Sequence, residues 1–136
     1  MDIRFNTPHQ YLFYHQNVKH LFLLWKKEKK RELYIVEDDQ GHILLRYPGE
    51  TYVDTVLHEI EPIFFQHLVN EEGPLAVILG ATFSYKQIVI GMYYTPPHPN
   101  EDLYFFQIEE ERIREIEDSE YENVVHEFMT KFKDYI

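Results

Sequence analysis

The chain contains no cysteine, only two serines and only five glycines, none of them adjacent. Without cysteine there is no disulfide framework, no cysteine-ligated zinc, no iron–sulfur cluster and no thiol nucleophile. Gly41, Gly49, Gly73, Gly80 and Gly91 are too dispersed for a dinucleotide-binding fingerprint or a phosphate-cradling loop. Neither Ser84 nor Ser119 sits in a nucleophile elbow. The longest apolar run, Leu21 to Trp25, is far short of the roughly 20 residues that span a bilayer. The N-terminus lacks the charged segment and long apolar stretch of a secretory signal. These absences predict a cytoplasmic chain that takes no cofactor and does not enter a membrane.

Basic residues are also in short supply: 13 Lys and Arg stand against 24 Asp and Glu, a net charge of −11. Nucleic-acid phosphates repel such a chain, so direct binding to DNA or RNA is disfavoured. The imbalance is local. Residues 1–68 carry 8 basic and 10 acidic groups, whereas residues 69–136 carry 5 and 14. The densest stretch, Glu101 to Glu127, has 11 acids and only Arg112 and Arg114 to offset them. The one basic cluster is Lys26-Lys27-Glu28-Lys29-Lys30-Arg31.

What is abundant is apolar and aromatic surface. Apolar residues make up 44% of the chain, with eleven Tyr, ten Phe and one Trp, which excludes a disordered polypeptide. A length of 136 residues predicts one domain, 1–136, that buries roughly two-thirds of its unfolded surface.

Hydrophobic periodicity predicts the elements. Thr7-Pro8 reads as a cap and first turn, with a short helix over residues 8–17; a single longer helix to Trp25 is the alternative. Strands are expected over residues 19–27, 32–37 and 42–47, with turns at Lys29-Lys30 and at Asp38–Gly41. Val53, Val56, Leu57, Ile60, Phe64 and Leu68 recur at helical spacing, predicting a helix over 51–70 that kinks or breaks at Pro62. Two strands follow, over 75–83 and 87–95, where Gly80 and Gly91 suggest a bulge or a close backbone approach. Residues 95–100 form a proline-rich loop and 103–108 a strand; residues 109–118 fit either a helical turn or an edge strand. The last helix begins at a capping box, Ser119 with Glu122. Its stripe comprises Tyr121, Val124, Val125, Phe128, Met129, Phe132, Tyr135 and Ile136. The order α-β-β-β-α-β-β-β-α predicts an α+β fold: an antiparallel sheet of about five to six strands, with helices packed mainly on one face.

No catalytic constellation emerges. His15/His20 and His58/His67 lack the i, i+4 spacing that puts two imidazoles on one metal, and no HExxH motif is present, so no metal site is assigned. Carboxylate pairs such as Glu59/Glu61, Glu71/Glu72 and Glu109/Glu110/Glu111 lie in charged runs, where solvation is the usual outcome, whereas acid–base catalysis needs a carboxyl that is buried or held near another. Two readings follow. The first is a non-enzymatic protein-binding module: an inhibitor, immunity factor or chaperone-like adaptor, encoded on a phage or mobile element. It would meet a partner with a basic surface through Glu109, Glu110, Glu111, Glu115 and Glu117, with Tyr94 and Tyr104 as apolar anchors beside the proline-rich loop. The second is a small-ligand sensor or small enzyme with a pocket between sheet and helices, lined by Tyr85, Tyr93, His58 and His67. A homodimer through the final helix or an edge strand is compatible with both.

The order helix, three strands, helix, strand pair, helix resembles that of the small acidic type III secretion chaperones, which dimerise around an effector segment. In size, charge and α+β character the chain also resembles bacterial toxin-immunity proteins. No residue motif carries either resemblance, so neither implies a functional residue.

Overall fold

The first element is a strand where a helix was expected. The computed structural model describes residues 9–70, 73–96 and 102–132, without the side chains of Asp39 and Asn70, and in it His9–His15 is a strand, β1. Burial has the period of a strand: Phe13 and His15 are buried, while Leu12 before them is half exposed and Tyr14 between them is only partly covered. The spacing of Tyr11, Tyr14, Val18 and Leu21 imitates a helix, but the chain reverses between Tyr14 and Val18. Gln16 and Asn17 make a two-residue turn with φ of 52° and 67°, the left-handed geometry that matches the twist of a hairpin.

The chain divides into two compact units, residues 1–57 and 58–136. The first unit is an antiparallel meander. β1 pairs with β2 (Val18–Trp25), β2 with β3 (Lys30–Asp39), and β3 with β4 (His42–Arg46). The expected strands over 19–27, 32–37 and 42–47 are all present within a residue or two. Lys26, Lys27 and Lys29 lie exposed in the turn between β2 and β3, so the basic cluster follows from hairpin geometry. Gln40 and Gly41 close the β3–β4 turn, both with positive φ. Phe13, Phe22, Leu23 and Leu33 are buried to 2% exposure or less.

Helix α1 (Glu50–Phe64) runs across the division between the units. It passes through Pro62 and ends two residues later, six short of the expected end at 70. Proline removes one hydrogen bond to the preceding turn, which the last turn of a helix can spare. The Gln66 side-chain amide donates to the Pro62 carbonyl at 3.1 Å. Residues 65–70 are instead strand β5 (Phe65–Asn70), paired with the next strand.

The second unit holds the end of α1, β5, β6 (Gly73–Tyr85), β7 (Ile88–Tyr94), β8 (Leu103–Glu109), β9 (Arg112–Arg114) and α2 (Asp118–Lys131). The long β6 pairs with β5 along its first half and with β7 along its second. The register slips between Leu79 and Ala81, a bulge at Gly80. At Gly91 a Cβ would lie 2.9 Å from Ile108 Cδ1 and 3.0 Å from Tyr93 Cε1, the close approach that a glycine in a strand suggests. Within residues 109–118 only Arg112–Arg114 is the edge strand β9, reached through a turn at Glu110-Glu111.

Helix α2 starts earlier than expected. Glu117 is the N-cap residue, its carbonyl accepting the backbone N–H groups of Glu120 and Tyr121, and no side chain caps the helix. Ser119 is therefore inside the helix, and the Ser119–Glu122 capping box is not formed. The aromatic part of the stripe packs as foreseen. Phe128 lies 5.9 Å from Phe83 and 5.3 Å from Phe105 between ring centroids, and Phe132 lies 5.9 Å from Phe83. Tyr121 meets Phe105 edge-on, while Met129 is largely exposed.

Helices in this unit lie on both sheet faces, not mainly on one. Register puts Phe83, Ile90, Met92 and Phe105 on the face that α2 covers. Tyr93 points from the opposite face, its hydroxyl donating at 2.6 Å to the Ile63 carbonyl in α1. Among the described residues there are nine strands and two helices. That is more strands than the expected five to six, in the order β-β-β-β-α-β-β-β-β-β-α. With a strand over His9–His15 in place of the expected helix, the element order of the described residues departs from that of the secretion chaperones. The Thr7-Pro8 cap, Glu71/Glu72, Pro97 to Asn100, Glu101, Tyr135 and Ile136 lie outside the described residues. No helix among the described residues is long and apolar enough to cross a membrane.

Candidate functional site

The division into two units sorts the charge. Residues 1–57 carry eight basic and eight acidic side chains, whereas residues 58–136 carry five and sixteen. The first unit is formally neutral and the second holds the whole −11.

Much of that charge lies on exposed positions at the end of β8, in the β8–β9 turn, and from Glu115 into the first turn of α2. Glu109 ends β8, and Glu110 and Glu111 form the β8–β9 turn with φ of 51° and 64°. Glu115 follows β9, and Glu117 caps α2; all five are exposed. Arg114 offsets Glu109 at 3.7 Å, and His58 approaches Glu111 at 3.9 Å. Such exposed pairs contribute little, at most about 1 kcal/mol. The sequence-expected acidic surface is thus gathered by a hairpin and the following helix.

The two aromatic anchors are placed differently. Tyr93 pairs with Tyr104, and Tyr94 pairs with Leu103, so Tyr94 and Tyr104 emerge on opposite sheet faces. Tyr94 is buried and Tyr104 half-buried. They do not form one exposed patch, because neighbouring strand residues alternate and the register is in phase.

The four residues of the ligand reading also separate. Tyr85 lies on the α2 face and Tyr93 on the other. His58 is exposed on α1, and His67 is exposed on β5. Tyr85 alone lines a cleft of about 220 Å³ between the sheet and the first turn of α2, together with Lys86, Ile88, Ile90, Gln107, Ile116, Glu117, Glu120 and Val124. The Tyr85 hydroxyl donates to Glu120 at 2.6 Å. Lys86 Nζ lies 3.4 Å and 3.5 Å from the two Glu120 oxygens and 5.3 Å from the Tyr85 ring centroid. The Tyr85 hydrogen bond, above all, lowers the Glu120 carboxyl below its ordinary range, with Lys86 assisting. The same bond raises the Tyr85 phenol.

A second polar cluster lies in the first unit. The β1–β2 register sets Phe13 opposite His20, with rings stacked 5.0 Å apart. His20 is fully buried; its Nε2 is hydrogen-bonded to the Tyr52 hydroxyl at 2.7 Å, and its Nδ1 has no well-formed hydrogen bond. His15, also buried, lies 6.4 Å away between ring centroids. Burial first, and His15 second, pull the His20 pKa down to about 4 against a weaker opposing effect of the Val18 backbone. At neutral pH this imidazole is uncharged. Among the described residues no three His, Asp or Glu side chains are grouped to hold a metal ion.

Tyr52, Lys86, Ile116 and Glu120 were not singled out from sequence. Helical spacing does not relate His15 to His20, whereas a turn at Gln16-Asn17 brings them together across a hairpin. The alternation in residues 9–15 was the available signal. The contact of Tyr85 with Glu120 spans 35 positions and has no local signature. No family model matches the chain, and neither a curated protein nor a solved structure matches it significantly.

Proposed function

We propose that the chain is a non-enzymatic protein-binding module whose acidic unit, residues 58–136, docks on a basic surface of a protein partner, as an inhibitor, immunity factor or adaptor does. The observation that carries this reading is the segregation of the entire net charge into that unit, with five exposed glutamates on one hairpin and helix start. A concentrated field of one sign accelerates encounter with a partner of the other sign and disfavours like-charged competitors.

The test uses the partner recovered from the native host by affinity capture. Glu109, Glu110, Glu111, Glu115 and Glu117 are replaced together by Gln, and association is followed by stopped flow across a salt series. The expected outcome is an on-rate lowered roughly tenfold or more at low salt, with a flatter salt dependence. An unchanged on-rate and salt slope would overturn this assignment of the acids. The alternative, a small-ligand pocket between sheet and helix, retains only Tyr85 of its four residues in the cleft under α2, and the charge distribution supports the docking reading over it.

A further inference from the structure

We infer that the cleft beneath the first turn of α2 receives one arginine side chain of the basic partner. This rests on the docking role of the acidic unit and names the place where that unit would distinguish one basic residue from general positive charge.

The cleft combines three features that suit such a side chain. Its walls include Ile88, Ile90, Ile116 and Val124, which would cover the aliphatic stem of a long basic residue. At about 220 Å³ it lies below the roughly 300–1,000 Å³ of pockets that enclose whole small molecules, yet it has room for a single side chain. Its rim carries two carboxylates, Glu117 and Glu120, one helical turn apart, and the Tyr85 ring.

Lys86 already shows the chemistry of the site from within. Its ammonium lies over the Tyr85 ring and beside both oxygens of Glu120. It is exposed, so a cation from outside competes with a weakly held internal one. Glu117 has no basic partner among the described residues and supplies the second carboxylate. A guanidinium suits this pair better than an ammonium. Its planar fork meets two carboxylates, it stacks on an aromatic face, and it is less strongly hydrated. Lys86 is therefore a placeholder whose removal opens the site.

The test is a methyl NMR titration of the full chain with N-acetyl-glycyl-arginyl-glycinamide, beside the same peptide carrying neutral citrulline. Saturable shifts are expected at Ile88, Ile90, Ile116 and Val124 with the arginine peptide and not with the citrulline peptide. Lys86→Met should tighten binding about threefold. Arg112→Gln, an equal change in net charge on β9, should tighten it clearly less. Tyr85→Leu and Glu120→Gln should each weaken it. Equal responses to the two peptides, or equal gains from the two charge removals, overturn the proposal. So do shifts confined to the Glu109–Glu111 turn with none in the cleft. That last result leaves the docking role of the acidic unit intact, whereas an unchanged salt dependence in the five-glutamate variant removes the docking role itself.

Discussion

The His20 imidazole and the Tyr52 hydroxyl meet at 2.7 Å across 32 positions of sequence, joining β2 to the first turn of α1. The bond is the one well-formed partner of a fully buried ring whose other nitrogen is left without one. Tyr52→Phe should therefore cost about 1–3 kcal/mol, the penalty for stranding a buried polar group. The double variant Tyr52→Phe with His20→Phe removes both polar partners and should lose less than the sum of the single changes. Urea unfolding at pH 7.5 (roughly one unit above the ordinary histidine pKa) measures both.

The same ring makes stability depend on pH. Its pKa falls from 6.5 to about 4 on folding, so below pH 6.5 the unfolded chain binds a proton that the folded chain refuses. The His20 contribution to stability is complete above pH 6.5 and is lost as pH falls toward 4, by at most about 3 kcal/mol. Urea midpoints across this window should fall more steeply for the natural chain than for His20→Phe. A resonance assigned to the His20 imidazole that titrates near 6.5 in the folded protein would contradict the prediction.

The two-residue turns at Gln16-Asn17, Lys86-Gln87 and Glu110-Glu111 all hold both residues at positive φ without a glycine. Left-handed geometry costs an ordinary residue about 1–2 kcal/mol. Replacing Gln16→Asn together with Asn17→Gly supplies the residues this turn favours and should stabilise the chain by about 1 kcal/mol. Thermal unfolding of the paired variant against the natural chain tests it.

Gly91→Ala should destabilise by about 1–3 kcal/mol, the usual cost of overpacking. The Ile108 methyl can swing away from the new Cβ, but the Tyr93 ring is tied through its hydroxyl to Ile63 and cannot. Tyr93→Phe frees that ring, so in its background the cost of Gly91→Ala should shrink. A double-mutant cycle by urea unfolding measures the coupling.

Legibility in the sequence followed the range of the interactions. The stripe through Val124, Phe128 and Phe132 and the two glycine irregularities at Gly80 and Gly91 were readable because each rests on local spacing or on one residue's missing side chain. β1 and β5 are strands whose sequences carry helical spacing. Tyr11, Tyr14 and Val18 imitate helical spacing when a turn falls between them, and residues 65–70 continue the apolar pattern of α1. In both places cross-strand hydrogen bonding decided the outcome, and the partner strand is not encoded in the segment itself. The Ser119–Glu122 box does not form because the helix starts two residues earlier and places the expected cap inside its first turn.

By itself, the sequence determined the composition of the chain: its acidity, its lack of thiol chemistry, its apolar and aromatic content, and the stretch where carboxylates crowd. Those are sums along a chain and need no fold. Only the tertiary structure decided that the net charge coincides with one compact unit, that Tyr94 and Tyr104 part to opposite faces, and that His20 meets Tyr52 while Tyr85 meets Glu120. The physical reason is that register and packing bring together groups far apart in sequence, and burial then sets whether an imidazole is charged and whether a carboxylate meets solvent.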